Sequence, residues 1–201
     1  MNMKPPQNFV DDIETMLNSH GKDQVTGTIR DFYGPNNLRY KLPIGHIDII
    51  QTRSHISHIF FNDDSKFYEP PFTPQTESLR RTKNILDRYF DGESVDFREI
   101  PVKIEMGTDF QNSVWNTIHQ IPYGEVRSYK WIAEQIGRPK AVRAVGNATG
   151  SNPITIIIPC HRVIGSNGNL GGYGGGLDRK RQFLTLEGYP VEVLQKPRER
   201  S

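Results

Sequence analysis

Cysteine is almost missing from this chain of 201 residues: Cys160 is the only one. No intramolecular disulfide can form, which points to a reducing compartment. A zinc site built on thiolates is excluded, because such sites use two or more. Long apolar runs are missing too. The longest, residues 154 to 158, is broken by Thr155, far short of the roughly 20 residues that span a bilayer. Residues 1 to 10 carry no apolar centre of the signal-peptide kind. The expectation is a cytoplasmic protein, nucleoid-associated in a prokaryote, with no membrane partner. Neither sign of charge dominates: 25 Lys and Arg stand against 23 Asp and Glu, a net +2. That balance neither requires nor forbids nucleic acid, so distribution decides.

Hydrophobic residues make up 35% and aromatics 10%. That is enough to argue against global disorder and to build a core in one large domain or two small ones. Residues 44 to 50 and 56 to 61 are rich in β-branched and aromatic types and read as strands. Pro70, Pro71 and Pro74 mark a loop. A helix is expected over residues 76 to 90, with Leu79, Ile85, Leu86, Tyr89 and Phe90 roughly on one face and Asp91-Gly92 ending it. This first half shows no catalytic constellation.

From Thr108 the texture changes. Thr108 and Gln111 have capping-box spacing, ahead of a helix through Val114, Trp115 and Ile118 that Pro122-Tyr123-Gly124 stops. Ser128 is placed to cap a helix over residues 129 to 136. Gly137-Arg138-Pro139 is a tight turn, and residues 140 to 148 form a small-residue helix. That outline fits a helix-turn-helix, and spacing alone fits an ordinary helical hairpin as well. Residues 154 to 158 read as a short buried strand, and a last helix covers residues 178 to 187.

Cys160 stands in Pro159-Cys160-His161-Arg162-Val163. A lone cysteine is often an inert small hydrophobe. Against that, Pro159 ends the expected strand, where reactive groups are often presented. His161 and Arg162 add positive charge that favours thiolate, and Glu187 downstream is able to orient His161. A Cys–His–Glu set follows nucleophile–base–orienter logic. Gly171-Gly172-Tyr173-Gly174-Gly175-Gly176 lacks the Gly-Lys-Ser/Thr ending of a P-loop and suits a pocket wall or a plain loop. Tyr129 and Arg143 are ordinary by themselves. They matter only if their helices face DNA, where a phenol sits beside a flipped base and a guanidinium fills its place.

Residues 108 to 189 resemble the C-terminal domain of the methylated-DNA–protein-cysteine methyltransferases, which act on 6-O-alkylguanine. The matching blocks are Phe110-Gln111 with Val114-Trp115, Ile121-Pro122-Tyr123-Gly124-Glu125, Ser128-Tyr129 and Ala144-Val145-Gly146. They continue in Asn152-Pro153, residues 158 to 163, Gly171-Gly172-Tyr173, Gly175-Gly176-Leu177 and Glu187-Gly188. The resemblance implies an α/β (α+β) protein: a ribonuclease-H-like α/β domain over residues 1 to 100, structural in role, then a mainly helical domain over residues 101 to 190. The second domain would carry a winged-helix-like helix-turn-helix, and residues 191 to 201 a flexible tail. It implies single, irreversible transfer of the alkyl group from 6-O-alkylguanine in double-stranded DNA, and possible action on 4-O-alkylthymine.

Residue by residue, the resemblance makes Cys160 the acceptor and His161 the taker of its proton through a water. Glu187 orients His161, Asn152 braces the turn, and Tyr129 helps rotate the nucleotide and donates a proton. Arg143 is the finger that fills the vacated stack, and Tyr173 a pocket wall. The backbone at Val163 and Gly174 reads the base edge. Ser128, Ala144, Gly146 and Gly175 complete the expected DNA- and substrate-binding set. Some relatives carry serine where Gly174 stands, so only a backbone N–H is left here. The structural zinc that some relatives bind through N-terminal cysteines is not expected, nor is any cofactor or obligate protein partner; a monomer is expected. Two other classes stay open on the residues alone: a lesion-binding protein without chemistry, and a cysteine hydrolase using Cys160, His161 and Glu187.

Overall fold

The computed structural model describes residues 37–52, 54–62, 76–104 and 107–191. The proline loop at 70 to 74 and the tail from 192 lie outside them. Strand β1 (Asn37–Leu42), which the sequence reading passed over, pairs antiparallel with β2 (Gly45–Thr52). Strand β3 (His55–Phe61) lies antiparallel on the other side of β2. Alternation buries Ile47 and Ile49 of β2, and a register shift in the β2–β3 pairing brings Ile56 and Ile59 of β3, opposite Gln51 and Ile49, to the same buried side. Helix α1 (Glu77–Phe90) covers this sheet. Its N-cap Thr76 accepts from the Leu79 N–H at 3.2 Å, and Leu79, Ile85, Leu86 and Tyr89 form its buried face. Gly92, at φ +87°, takes the chain out of the helix.

Helix α2 (Asp109–His119) begins with a complete capping box between Thr108 and Gln111. It packs against α3 (Tyr129–Gln135) and α4 (Val142–Gly150). Trp115 anchors the group by donating Nε1–H to the Ala148 carbonyl at 2.7 Å. Ser128 caps α3 by accepting from the Trp131 N–H at 3.0 Å. Its strand β4 (Arg127–Ser128) pairs parallel with β5 (Val163–Ile164), and α5 (Leu177–Leu186) closes the described chain. The architecture is mixed α/β, with the sheet first and the helical half after it. No helix among the described residues is long and apolar enough to cross a membrane.

One expectation is overturned. Residues 154 to 158 are not a strand. Ile154 alone bridges to Ile59, and the chain then turns through Thr155 and Ile156, with Ile158 N–H bonded to the Ile154 carbonyl at 3.0 Å. Ile156 is held at φ +72°, a left-handed conformation that a β-branched residue adopts only under constraint, at about 1–3 kcal/mol. Burial supplies the constraint, since Ile154, Ile156, Ile157 and Ile158 are all buried. A short apolar run marks burial, and periodicity alone does not separate strand from buried turn. The edge of β3 away from β2 holds this turn in place: Ile59 N–H bonds the Pro153 carbonyl at 2.9 Å, and Thr155 N–H bonds the Ile59 carbonyl at 3.0 Å.

Candidate active site

Cys160 therefore stands not at a strand end but at the first position of a 3-10 turn, Cys160–Arg162, that leaves the constrained loop. Its residue is 6% exposed, close to solvent yet largely stripped of it. Asn152 sets the thiol's surroundings. Its Nδ2 donates to the Ile158 carbonyl at 2.8 Å and to Sγ at 3.1 Å, while its Oδ1 accepts from the Ile154 N–H at 3.0 Å. One amide thus braces both limbs of the turn and touches the nucleophile. Burial pushes the Cys160 thiol above its ordinary pKa; the Asn152 hydrogen bond, the Lys180 charge and a Thr155 hydrogen bond oppose this without overcoming it. The resting form is a thiol, so attack requires a base.

His161 is that base candidate. Its Nε2 lies 2.8 Å from Glu187 Oε1, and its Nδ1 is buried with no hydrogen-bond partner among the described residues. Burial lowers the imidazole pKa, so the ring is neutral. With Nε2–H donated to the carboxylate, Nδ1 holds the free lone pair. Phe183 stacks on the ring at 4.6 Å between centroids, fixing its plane. Glu187 follows the last turn of α5 with its side chain fully buried. Burial acts to raise its carboxyl, but His161 and Arg162 outweigh that and hold it at about 2. The Arg162 fork, Nε to Oε2 at 2.9 Å and Nη2 to Oε1 at 2.9 Å, is reason enough for an ionised Glu187.

The expected role of Arg162 is thus corrected. Its guanidinium does not charge the thiol; it pairs with Glu187 and donates Nη1–H to the Ile121 carbonyl at 2.6 Å. The nearby cation is Lys180 on α5, which is fully buried. Its ammonium donates to the carbonyls of Val163, Leu170 and Gly172, and burial draws its pKa down to about 8. Lys180 ties β5 to the glycine loop. A sequence signal was there to be used: Lys180, Phe183, Leu184 and Glu187 repeat at i, i+3, i+4, i+7, which puts two charges on the apolar face of α5.

Tyr129 and Tyr173 both lie within electrostatic reach of Cys160, where a thiolate would raise the pKa of either phenol. Burial raises the Tyr129 pKa, keeping it a proton donor. Its ring fills the space over Gly171, at φ +66°, where an added Cβ would lie 2.7 Å from the Tyr129 hydroxyl; only glycine fits. Tyr173 shares a 3.1 Å hydrogen bond with Thr155. At Gly175 an added Cβ would strike the Tyr173 and Phe61 rings at 2.8 and 2.9 Å. At Gly174 the nearest atom would be the Gly150 carbonyl oxygen at 3.7 Å, an ordinary contact, so space does not exclude the serine of some relatives. Arg143 and Ala144 are exposed on α4, and a Cβ added at Gly146 would lie 4.0 Å from the Tyr129 ring.

Residues 109–189 match the family model for the 6-O-methylguanine DNA methyltransferase DNA-binding domain. Residues 39–104 match that of the same family's ribonuclease-like domain. The chain belongs to the 6-O-methylguanine DNA methyltransferase family. Among its relatives, the methylated-DNA–protein-cysteine methyltransferase of Haemophilus influenzae is 44% identical over 75% of this chain and 85% of its own length. That of Mycolicibacterium paratuberculosis is 47% identical over 72% and 87%. A crystal structure of Mycobacterium tuberculosis OGT in complex with DNA superposes with a TM-score of 0.66 at 41% identity, covering 79% of this chain and 94% of that one.

Proposed function

We propose that this protein repairs alkylated double-stranded DNA by moving the alkyl group from 6-O-alkylguanine onto Cys160, once per molecule. The observation that carries the reading is the buried thiol held by Asn152 beside a neutral imidazole whose far nitrogen is committed to Glu187. Sγ attacks the alkyl carbon as the bond from that carbon to the guanine oxygen breaks. The thiol proton passes to the lone pair of His161, and the departing guanine takes a proton, for which Tyr129 is the donor at hand. One proton leaves and one arrives, so charge balances. A soft sulfur suits this displacement, and the lesion lowers the cost of flipping the nucleotide out of the duplex.

The product is a thioether, whose alkyl carbon is not activated toward attack by water, so the protein is consumed. Arg143, exposed on α4, serves as the finger in the emptied stack, with Ser128, Ala144 and Gly146 along the DNA face. Val163, Tyr173, Gly174 and Gly175 line the base pocket. The same reading divides the chain at residue 100 and places the protein in the cytoplasm. Intact-mass measurement after mixing with a methylated duplex tests it. The expected result is a gain of one methyl group, on Cys160, followed by loss of activity. Sustained turnover would favour a cysteine hydrolase, and binding without a mass change a lesion-binding protein.

A further inference from the structure

Glu187 is reached from the other half of the molecule. Tyr89, on α1 and 98 residues away in the chain, donates its phenol O–H to Glu187 Oε1 at 2.7 Å. This is the oxygen that faces His161 Nε2. The Tyr89 side chain is fully buried, its ring set edge-on to Phe90 and Tyr123 and tilted against Phe97 and Phe183. Core packing alone does not explain the hydroxyl, since phenylalanine would fill the same space. A buried hydroxyl needs a partner, and here the partner is the carboxylate that orients the base.

We propose that Tyr89 is a positioning residue for the transfer reaction: its phenol holds Glu187 Oε1 in place and limits how strongly that carboxylate attracts a proton onto His161. The inference rests on the reading of His161 as the base. A carboxylate oxygen that already accepts a hydrogen bond has less negative charge to offer the imidazole. Without the phenol, Glu187 stabilises imidazolium more strongly, and His161 becomes protonated at higher pH. Around His161 the charged and titratable groups are Glu187, Arg162, Lys180 and its neighbour Cys160. Around Tyr89 they are Glu187, Arg162, Tyr123 and Tyr173. Among the described residues, Glu187 is the group hydrogen-bonded to both. Burial and the neighbouring carboxylate keep the Tyr89 phenol protonated throughout the working range, so it acts only as a donor.

The test is the pH dependence of single-turnover methyl transfer from a methylated duplex, for wild type and Tyr89→Phe, with thermal unfolding measured in parallel. In wild type the rate falls on the acid side as His161 takes up a proton. Tyr89→Phe should move that acid limb upward by about 0.5–1 pH unit, slowing transfer roughly three- to tenfold on the limb. On the alkaline plateau the change should stay within about twofold. A protein with 3-fluorotyrosine at position 89, a stronger donor of nearly the same shape, should move the limb downward. A Tyr89→Phe profile that superimposes on wild type overturns the proposal, even if the variant melts at a lower temperature. Should Tyr89→Phe fail to fold, the fluorinated protein decides, and an unshifted limb there overturns the proposal equally. A wild-type rate with no acid limb removes the base role of His161, and this inference with it.

Discussion

Arg162→Met replaces one half of a buried ion pair with an apolar side chain of similar length. The Glu187 side chain is 0% exposed and that of Arg162 4%, so the variant strands a carboxylate out of water. Tyr89, His161 and the Gly124 N–H at 3.3 Å remain as donors, but the paired guanidinium does not. Breaking a buried pair from one side costs about 3–5 kcal/mol, which for a chain of this size lowers Tm by roughly 6–20 °C. Phe97 and Tyr123, whose rings lie 5.5 and 6.0 Å from the guanidinium carbon, lose a cation–π partner as well. The double variant Arg162→Met/Glu187→Gln, with no charge left to strand, should recover about 1–2 kcal/mol of the loss.

The effect has a pH signature. The folded carboxyl of Glu187, at about 2, lies below the unfolded value of about 4.3. Its stabilisation is therefore complete above the unfolded value and fades as pH falls toward 2. Urea unfolding of wild type and variant at a series of pH values reads this directly, and the gap between them should narrow across that window. A loss below about 1 kcal/mol at pH 7, the worth of an exposed pair, would refute the reasoning. A second readout separates this role from thiol activation. The pH midpoint of iodoacetamide labelling at Cys160 should stay within a few tenths of wild type, whereas an Arg162 that charged the thiol would move it up by about 1–3 units.

Two more outcomes are expected. Asn152→Ala removes the donor to Sγ and the brace on both limbs of the turn; it should cost about 1–3 kcal/mol in unfolding and raise the pH midpoint of Cys160 labelling, and an unchanged midpoint would exclude Asn152 from tuning the thiol. Arg143→Ala should slow transfer from duplex DNA far more than transfer from a free alkylguanine base, which needs no flipping. Equal slowing on both substrates would exclude the finger role, and a salt slope lowered by about one unit would mark a phosphate contact instead.

What could be read from the chain alone follows the range of each interaction. The capping box, the Ser128 cap and the apolar face of α1 are set within four residues, and Thr108 and Ser128 stand where their spacing puts them. The block around Cys160 was legible as a motif, and Asn152, His161 and Glu187 converge on it. The local reading erred where a long-range contact decides. Residues 154 to 158 are apolar enough for a strand, but Pro153 and Thr155 bond the edge of β3 and force Ile156 into a turn. Arg162 beside Cys160 looked like a charge for the thiol, yet adjacent residues diverge, and its fork closes on Glu187, 25 residues on.

Tyr89 shows the limit most sharply. In sequence it is one more apolar position on an amphipathic helix, and its hydroxyl has no local partner to suggest a use. Only when α1 is docked does the phenol meet Glu187. The two halves of the protein therefore share one polar network: Tyr89 from the sheet half, His161 and Arg162 from the active-site turn, and Glu187 from the end of α5, all meeting at a single carboxylate. Such a network is costly if partly satisfied. Any change that loosens α1 from the helical half should thus reach the thiol through Glu187 and His161, although α1 does not itself carry the acceptor.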